Sequence, residues 1–439
     1  MNKTTKRLLV ITATLLCSNG LAIGLARSKP DAASATGQSA RDSLSQINRV
    51  INDLDQQVAE NATSSGLDLL ARLQLSKGRL TGGADSYARA QSAVEQSLAI
   101  APRNQEALAL DLEIKFSNHD FAGALSGSKS LLSVAPKQLS ALTVNADANR
   151  ELGNYPAATA AQRVLEEVAP NAAPVLARRS RLAFLLGDST AAIDFASRAE
   201  TRAANSGLLG ETLAFYSAFV GQLAFDLGDY TKAGEYFDRA LTLAPGDRVA
   251  TLGAARVLAA KGKVEAATKL LAELTDRFPD PGALALLGDL YGIAGDSRAA
   301  EETFALVDAI AALATSNRQI YDRELSLFYA NHDRRLPESL KLARAEIEVR
   351  KDIYAYDTLA WAEYQSGHLD LAEQAAQQAL RFDTQDARIH FHAGMIAAAK
   401  DKRSEAKALL SKALAISPHF EVVGADVARA TLRDLEKNS

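Results

Sequence analysis

Cysteine is nearly missing from this chain: Cys17 is the only one in 439 residues. It lies in the N-terminal apolar stretch, so the rest of the chain can form no disulfide and offers no thiolate to a metal ion or a reaction. Familiar catalytic signatures are missing too. There is no Gly-x-Ser-x-Gly elbow, no His-Glu-x-x-His pair and no Gly-x-Gly-x-x-Gly turn. Gly123-Ala-Leu-Ser-Gly127-Ser-Lys-Ser130 comes nearest to a phosphate loop. It has three residues between the glycines where four are needed, and a serine before the lysine. Histidines are scarce, with five of the six at His332, His368, His390, His392 and His419. His390 and His392 are two residues apart, about 200° around a helix, so they cannot grip one metal ion together. Carboxylate pairs such as Glu166-Glu167 and Glu301-Glu302 read as solvated helix faces. No enzyme, metal or cofactor is therefore expected. A metal-binding or enzymatic role for the histidine-containing C-terminal region is the rival reading.

Strong charge of either sign is lacking as well: 49 basic and 53 acidic residues leave a net charge of −4. The charge is unevenly placed at the start. Lys3, Lys6 and Arg7 precede the apolar run Leu8 to Leu16, and small residues follow at Gly20-Leu-Ala22 and Gly24-Leu-Ala26. A basic start, a short apolar stretch and a small-x-small exit predict a signal peptide over 1–26, cleaved after Ala22 or Ala26. The product would be periplasmic or secreted, with no membrane insertion after cleavage. The alternative keeps Leu8–Ala26 as an inner-membrane anchor, although Ser18-Asn19-Gly20 interrupts it. A lipoprotein would need a small residue before Cys17, where Leu16 stands. Losing Lys3, Lys6 and Arg7 lowers 49 basic residues to 46 against 53 acidic, a net charge of −7. Such a surface disfavours nucleic acid and anionic membrane as partners.

Beyond the start, residues 27–40 are small and polar and read as a flexible linker. Leu44, Ile47, Ile51, Leu54 and Val58 recur at three and four residues, which predicts an N-terminal helix over 41–61. Then a period sets in. Pro102, Pro136 and Pro170 are 34 apart, as are Pro245 and Pro279, in a chain with only 11 prolines. A proline after a helix keeps it from running on. Turn glycines stand at Gly153, Gly187, Gly228 and Gly262, and beyond the last of these prolines at Gly295 and Gly367. Five residues after each stands a small residue: Ala158, Ala192, Ala233, Ala267, Ala300 and Ala372. Small side chains there let paired helices approach closely.

The stretch from Thr212 to Pro245 carries the whole pattern, with Gly221, Tyr230, Ala233, Phe237, Ala240 and Pro245 on its signature positions. It resembles a tetratricopeptide repeat (TPR), whose unit is a helix–turn–helix hairpin of this length. The resemblance implies an all-α, right-handed superhelical solenoid of about ten units. The array spans 71–418, with a break allowed at the insertion 205–213, and a capping helix follows at 421–436. The units run over 71–102, 105–136, 139–170, 173–204, 214–245, 248–279, 281–312, 320–351, 353–384 and 387–418. Several depart from the family pattern. The first two lack the turn glycine, and the eighth has Pro337 in its turn.

In this family the first helix of each unit lines the concave groove through positions 2, 5, 9 and 12. In units eight to ten this implies partner contacts from Tyr321, Phe328, Tyr354, Asp357, Trp361, Tyr364, Arg388, Phe391 and Met395, with Glu324 beside them. Nine of the 26 aromatics fall between 320 and 395, and aromatics, Met and Arg are the usual interface anchors. The other reading is that they fill the spaces between helices. If they are contacts, Trp361→Ala and Phe328→Ala should weaken partner capture and leave melting nearly unchanged. Units two to seven present a groove of mixed sign, including Gln222, Phe225, Arg256 and Asp289. The family's carboxylate clamp for chaperone tails needs lysine at position 5 with asparagine at 9, and no unit here has both. The expected function is a non-enzymatic scaffold or adaptor of the bacterial cell envelope that holds a protein or peptide. A membrane-tethered envelope assembly factor is the alternative, and a homo-oligomeric state is left open.

Overall fold

The computed structural model describes residues 36–81, 84–316 and 322–437. The expected signal peptide, most of the linker and Tyr321 lie outside the described residues. Among those residues all regular structure is helical, and the chain divides into two compact units at Asn171 and Ala172.

The first unit holds α1 (Thr36–Glu60) and three helix pairs. These are α2 (Ser64–Thr81) with α3 (Ala84–Ile100), α4 (Gln105–Ser117) with α5 (Phe121–Val134), and α6 (Leu139–Glu151) with α7 (Tyr155–Val168). Helix α1 lays Ile47, Ile51 and Leu54 on Leu67, Leu70 and Ala71 of α2, so the open end of the first pair is covered. Buried polar groups pin the next joint. Asn104 Nδ2 donates to Asp68 Oδ2 at 2.7 Å and to Ser64 Oγ at 2.7 Å, while Ser97 Oγ donates to Asp68 Oδ1 at 2.6 Å. Asn104 also accepts from the Glu106 N–H and so caps α4.

The second unit opens with α8 (Ala173–Leu185), α9 (Ser189–Asn205), α10 (Glu211–Asp226) and α11 (Tyr230–Leu243). It continues with α12 (Arg248–Ala260), α13 (Val264–Arg277), α14 (Pro281–Ile293) and α15 (Ser297–Ser316). Next come α16 (Asp322–Asn331), α17 (Leu336–Val349), α18 (Ile353–Gln365) and α19 (Leu369–Ala379). It closes with α20 (Ala387–Ala399), α21 (Arg403–Ile416) and the last helix, α22 (Gly424–Lys437). The insertion at 205–213 lies inside this unit, with Leu208 buried in it.

The Gly-Asp dipeptides explain the hairpin turns. Gly228 takes φ 78°, a conformation that costs an L-residue energy, and ends α10. The Asp229 N–H then bonds back to the Ala224 carbonyl at 2.9 Å, while its side chain accepts from the Lys232 N–H and starts α11. One dipeptide thus stops one helix and begins the next. Turns without glycine place His119, Asp333, Arg335 and Asp401 at positive φ, between 43° and 61°.

Packing between pairs needs small residues as well. Phe237 of α11 is fully buried between Gly221 of α10 and Gly253 of α12, and a Cβ at Gly253 would stand 2.2 Å from the edge of its ring. No described helix is long and apolar enough to cross a membrane.

Candidate groove in the second unit

The first helices of successive pairs touch in series: α10 meets α12, α14 meets α16, α16 meets α18, and α18 meets α20. Their shared face carries a charged centre. Asp357 of α18 is 1% exposed, and its Oδ1 lies 2.9 Å from His392 Nδ1 of α20. Its Oδ2 is 3.4 Å from Arg388 Nε, also of α20. Burial pushes the Asp357 carboxyl up, but His392 and Arg388 more than offset this, and it sits below the ordinary carboxylate range. Burial would lower Arg388, yet Asp357, Asp386 and Glu421 around it hold it above the usual arginine range. Tyr354, one turn before Asp357, is pushed well up by burial.

Aromatic rings underlie this centre. Trp361 stacks on Tyr364 at 4.9 Å and on His392 at 4.2 Å, and its Nε1 donates to Asn331 Oδ1 at 2.7 Å. Phe391 meets Trp361 and, beyond it, Phe420. Phe328 packs on Tyr329 and on His332, whose Nε2 lies 2.8 Å from Asp289 of α14.

The expected contact residues therefore divide. Tyr354 and Tyr364 of α18 and Arg388 and Met395 of α20 are half-buried, with Met395 Sδ accepting from Thr431 of α22, and Glu324 is exposed. Phe328, Trp361 and Phe391 are 4%, 5% and 3% exposed, which puts them in the core. The expectation that Trp361→Ala and Phe328→Ala leave melting nearly unchanged is corrected by this burial, because emptying such sites removes packed apolar volume. Tyr321 lies outside the described residues. The histidines face different partners: His390 Nε2 is 3.0 Å from the Thr384 carbonyl oxygen, whereas His392 turns to Asp357.

Sequence reasoning missed the connection between α21 and α22, which meets the early helices of the same unit. Tyr230 OH is 2.9 Å from Ser417 Oγ and accepts from the His419 N–H at 2.7 Å. Ser417 Oγ also donates to the Phe225 carbonyl at 3.3 Å. Val422, expected in the capping helix, lies before it and joins the apolar cluster of α12, α13 and α14. Nothing local in Ser417-Pro-His-Phe-Glu-Val-Val423 announces partners nearly two hundred residues away.

Two tetratricopeptide repeat family models match the chain, over residues 224–290 and 358–419. No curated protein matches its sequence. Among solved structures, it is similar to PilW, a type IV pilus biogenesis factor, at 18% identity and TM-score 0.41, covering 51% of this chain and 98% of that one. A tetratricopeptide repeat protein from Parabacteroides merdae is similar at 17% identity and TM-score 0.34, over 60% of this chain and 98% of that one. Human IFIT1 is similar at 13% identity and TM-score 0.45, over 86% of this chain and 87% of the other. With ten helix pairs among the described residues, glycine-built turns and these family matches, residues 224–290 and 358–419 are tetratricopeptide repeats within an all-α array.

Proposed function

We propose that this protein is a non-catalytic scaffold of the bacterial cell envelope that holds a peptide or protein partner on the inner face of α16, α18 and α20. The observation that carries this reading is Arg388, half-buried beside Asp357 on a face shared with Tyr354, Tyr364 and Met395. A desolvated, oriented guanidinium flanked by tyrosines suits recognition of a carboxylate or a carbonyl in a peptide. Phe328, Trp361 and Phe391 hold that face from below. The envelope location rests on the basic, apolar and small-residue order of residues 3–26.

The test is site-directed photo-crosslinking in the native host, with the crosslinker at Tyr364 and, as a control, at exposed Lys269 of α13. A discrete protein adduct from Tyr364 alone supports the reading. Identical adduct patterns from both sites, or none from either, would overturn it.

A further inference from the structure

The early and late parts of the second unit meet along a line of contacts. The turn at Gly187 faces the Asp383 carbonyl so closely that a Cβ there would overlap it. At Gly228 a Cβ would stand 2.6 Å from the Ile416 carbonyl oxygen and 3.3 Å from Ser417 Cα. Tyr230 binds Ser417 and His419, and Val422 reaches the cluster of α12 to α14. The line is polar where it passes the groove. Asp226 at the end of α10 is faced by Arg256 of α12, by Asp386 and Arg388 at the start of α20, and by Tyr354 of α18, with Gln222 of its own helix donating to it. Glu421 is faced by His392 and Arg388 of α20, Arg256 of α12 and Asp289 of α14.

Two features make this line a joint rather than a core. Among the described residues Tyr230 and Ser417 carry its side-chain hydrogen bonds, whereas the helix pairs on either side are joined by long apolar seams. It also encloses carboxyl groups at a cost. Burial pushes Asp226 up to about 6 against the opposing pull of Arg256, and burial likewise raises Glu421. Closing therefore favours protonated carboxyls, and parting the joint lets them ionise in water. Arg388 belongs to both structures, because the guanidinium offered to a partner is the one that Asp386 and Glu421 surround.

We propose that this line is a seam that opens, parting α9–α14 from residues 383–423, and that a partner reaches Tyr354 and Arg388 in the open form. The regulation rests on the reading of that face as the binding site. A partner carboxylate at Arg388 displaces Glu421 and Asp226 from it, so binding and opening favour one another. Ionisation of the seam carboxyls drives the same change, so the open fraction grows as pH rises through about 6.

The test uses the full chain carrying Cys17→Ser, with spin labels at Thr231→Cys of α11 and Ser411→Cys of α21, both exposed positions. Pulsed dipolar spectroscopy should give a single short distance near pH 5. A second, longer population should grow at least about threefold by pH 8. Tyr230→Phe combined with Ser417→Ala should enlarge that population at every pH, and Asp226→Asn combined with Glu421→Gln should flatten its pH dependence. One unchanged distance across the pH series in the labelled chain alone overturns the proposal, whether or not the variants fold. Because this readout needs no partner, an opening seam without a Tyr364 adduct refutes only the binding reading. An adduct on a chain that never opens refutes only the seam.

Discussion

The indole of Trp361 and the imidazole of His392 lie 13° from parallel with their ring centres 4.2 Å apart. The stack joins α18 to α20, and Tyr364 also stacks on the indole at 4.9 Å. Trp361→Ala should therefore destabilise the second unit by about 3–5 kcal/mol, since it removes a buried ring and leaves a cavity. Tyr364→Ala should cost markedly less, because that ring is half-buried. Chemical denaturation followed by circular dichroism compares them, and equal midpoints for the two variants would refute a supporting role for Trp361.

Phe237 fixes a second prediction. It fills the space that Gly221 and Gly253 leave on the helices to either side. Gly253 lies within α12, where alanine is the better helix former by about 1 kcal/mol. On propensity alone Gly253→Ala would stabilise the protein. The added methyl would overlap the Phe237 ring, and overpacking costs about 1–3 kcal/mol, so a lowered melting temperature is expected. Gly253→Ala with Phe237→Leu should recover part of the loss, and independent, additive effects would show that the two residues do not oppose each other.

Much of the repeat could be read from the sequence because its causes are local. The Gly228-Asp229 pair stops one helix and caps the next by backbone chemistry that two residues carry alone. The groove was less legible. Positions 5 and 9 of a unit face the partner in the family pattern, yet Asp357 is closed over by His392 and Arg388, and Trp361 by Tyr364 and His392. Burial at such positions depends on the side chains of the next unit, which a one-unit pattern cannot supply. The contact of Ser417 with Tyr230, and the electrostatic pairing of Glu421 with Arg256, were invisible for a stronger reason. They arise from how successive hairpins rotate, a sum of small angles that no single residue encodes.

In the first unit, Asp68 accepts from both Ser97 and Asn104. Asp68→Ala would remove the acceptor that both donors share and leave them only Ser64 in a largely buried place, at a cost of about 1–3 kcal/mol. Asp68→Asn keeps the shape and one acceptor and should lose less. Hydrogen exchange of α2 to α4 checks this, with faster exchange expected for the alanine variant. Equal protection in both variants would argue against the network.

His332 gives a titration with a definite sign. Burial lowers its pKa, but the hydrogen bond and charge of Asp289 outweigh this and hold it above the ordinary histidine value. A histidine raised in the folded state stabilises the fold below its unfolded pKa, and that contribution is lost as pH rises through the folded value. Asp289→Asn should lower the His332 titration midpoint seen in histidine ring-proton NMR and shrink the stability lost above it. An unmoved midpoint would mean that Asp289 does not hold the charged form.

Arg388 is where the scaffold reading is most exposed to failure. Its Nε faces Asp357 Oδ2 at 3.4 Å, and Asp386 and Glu421 surround it, so deleting the charge has two opposite consequences. Arg388→Gln removes the group that would meet a partner carboxylate, and one charge-assisted hydrogen bond is worth about 1.5–3 kcal/mol, or roughly 10- to 150-fold in affinity. It also leaves the buried carboxyls with less compensation, so the second unit should lose stability most strongly above pH 6, where Asp226 is ionised. Arg388→Lys separates the two effects, since it keeps the charge but not the planar fork. Lysine should restore most of the stability and little of the Tyr364 crosslink. If it restores both equally, charge alone is being read. If neither variant changes the crosslink while both melt early, Arg388 serves the fold and the partner is held elsewhere.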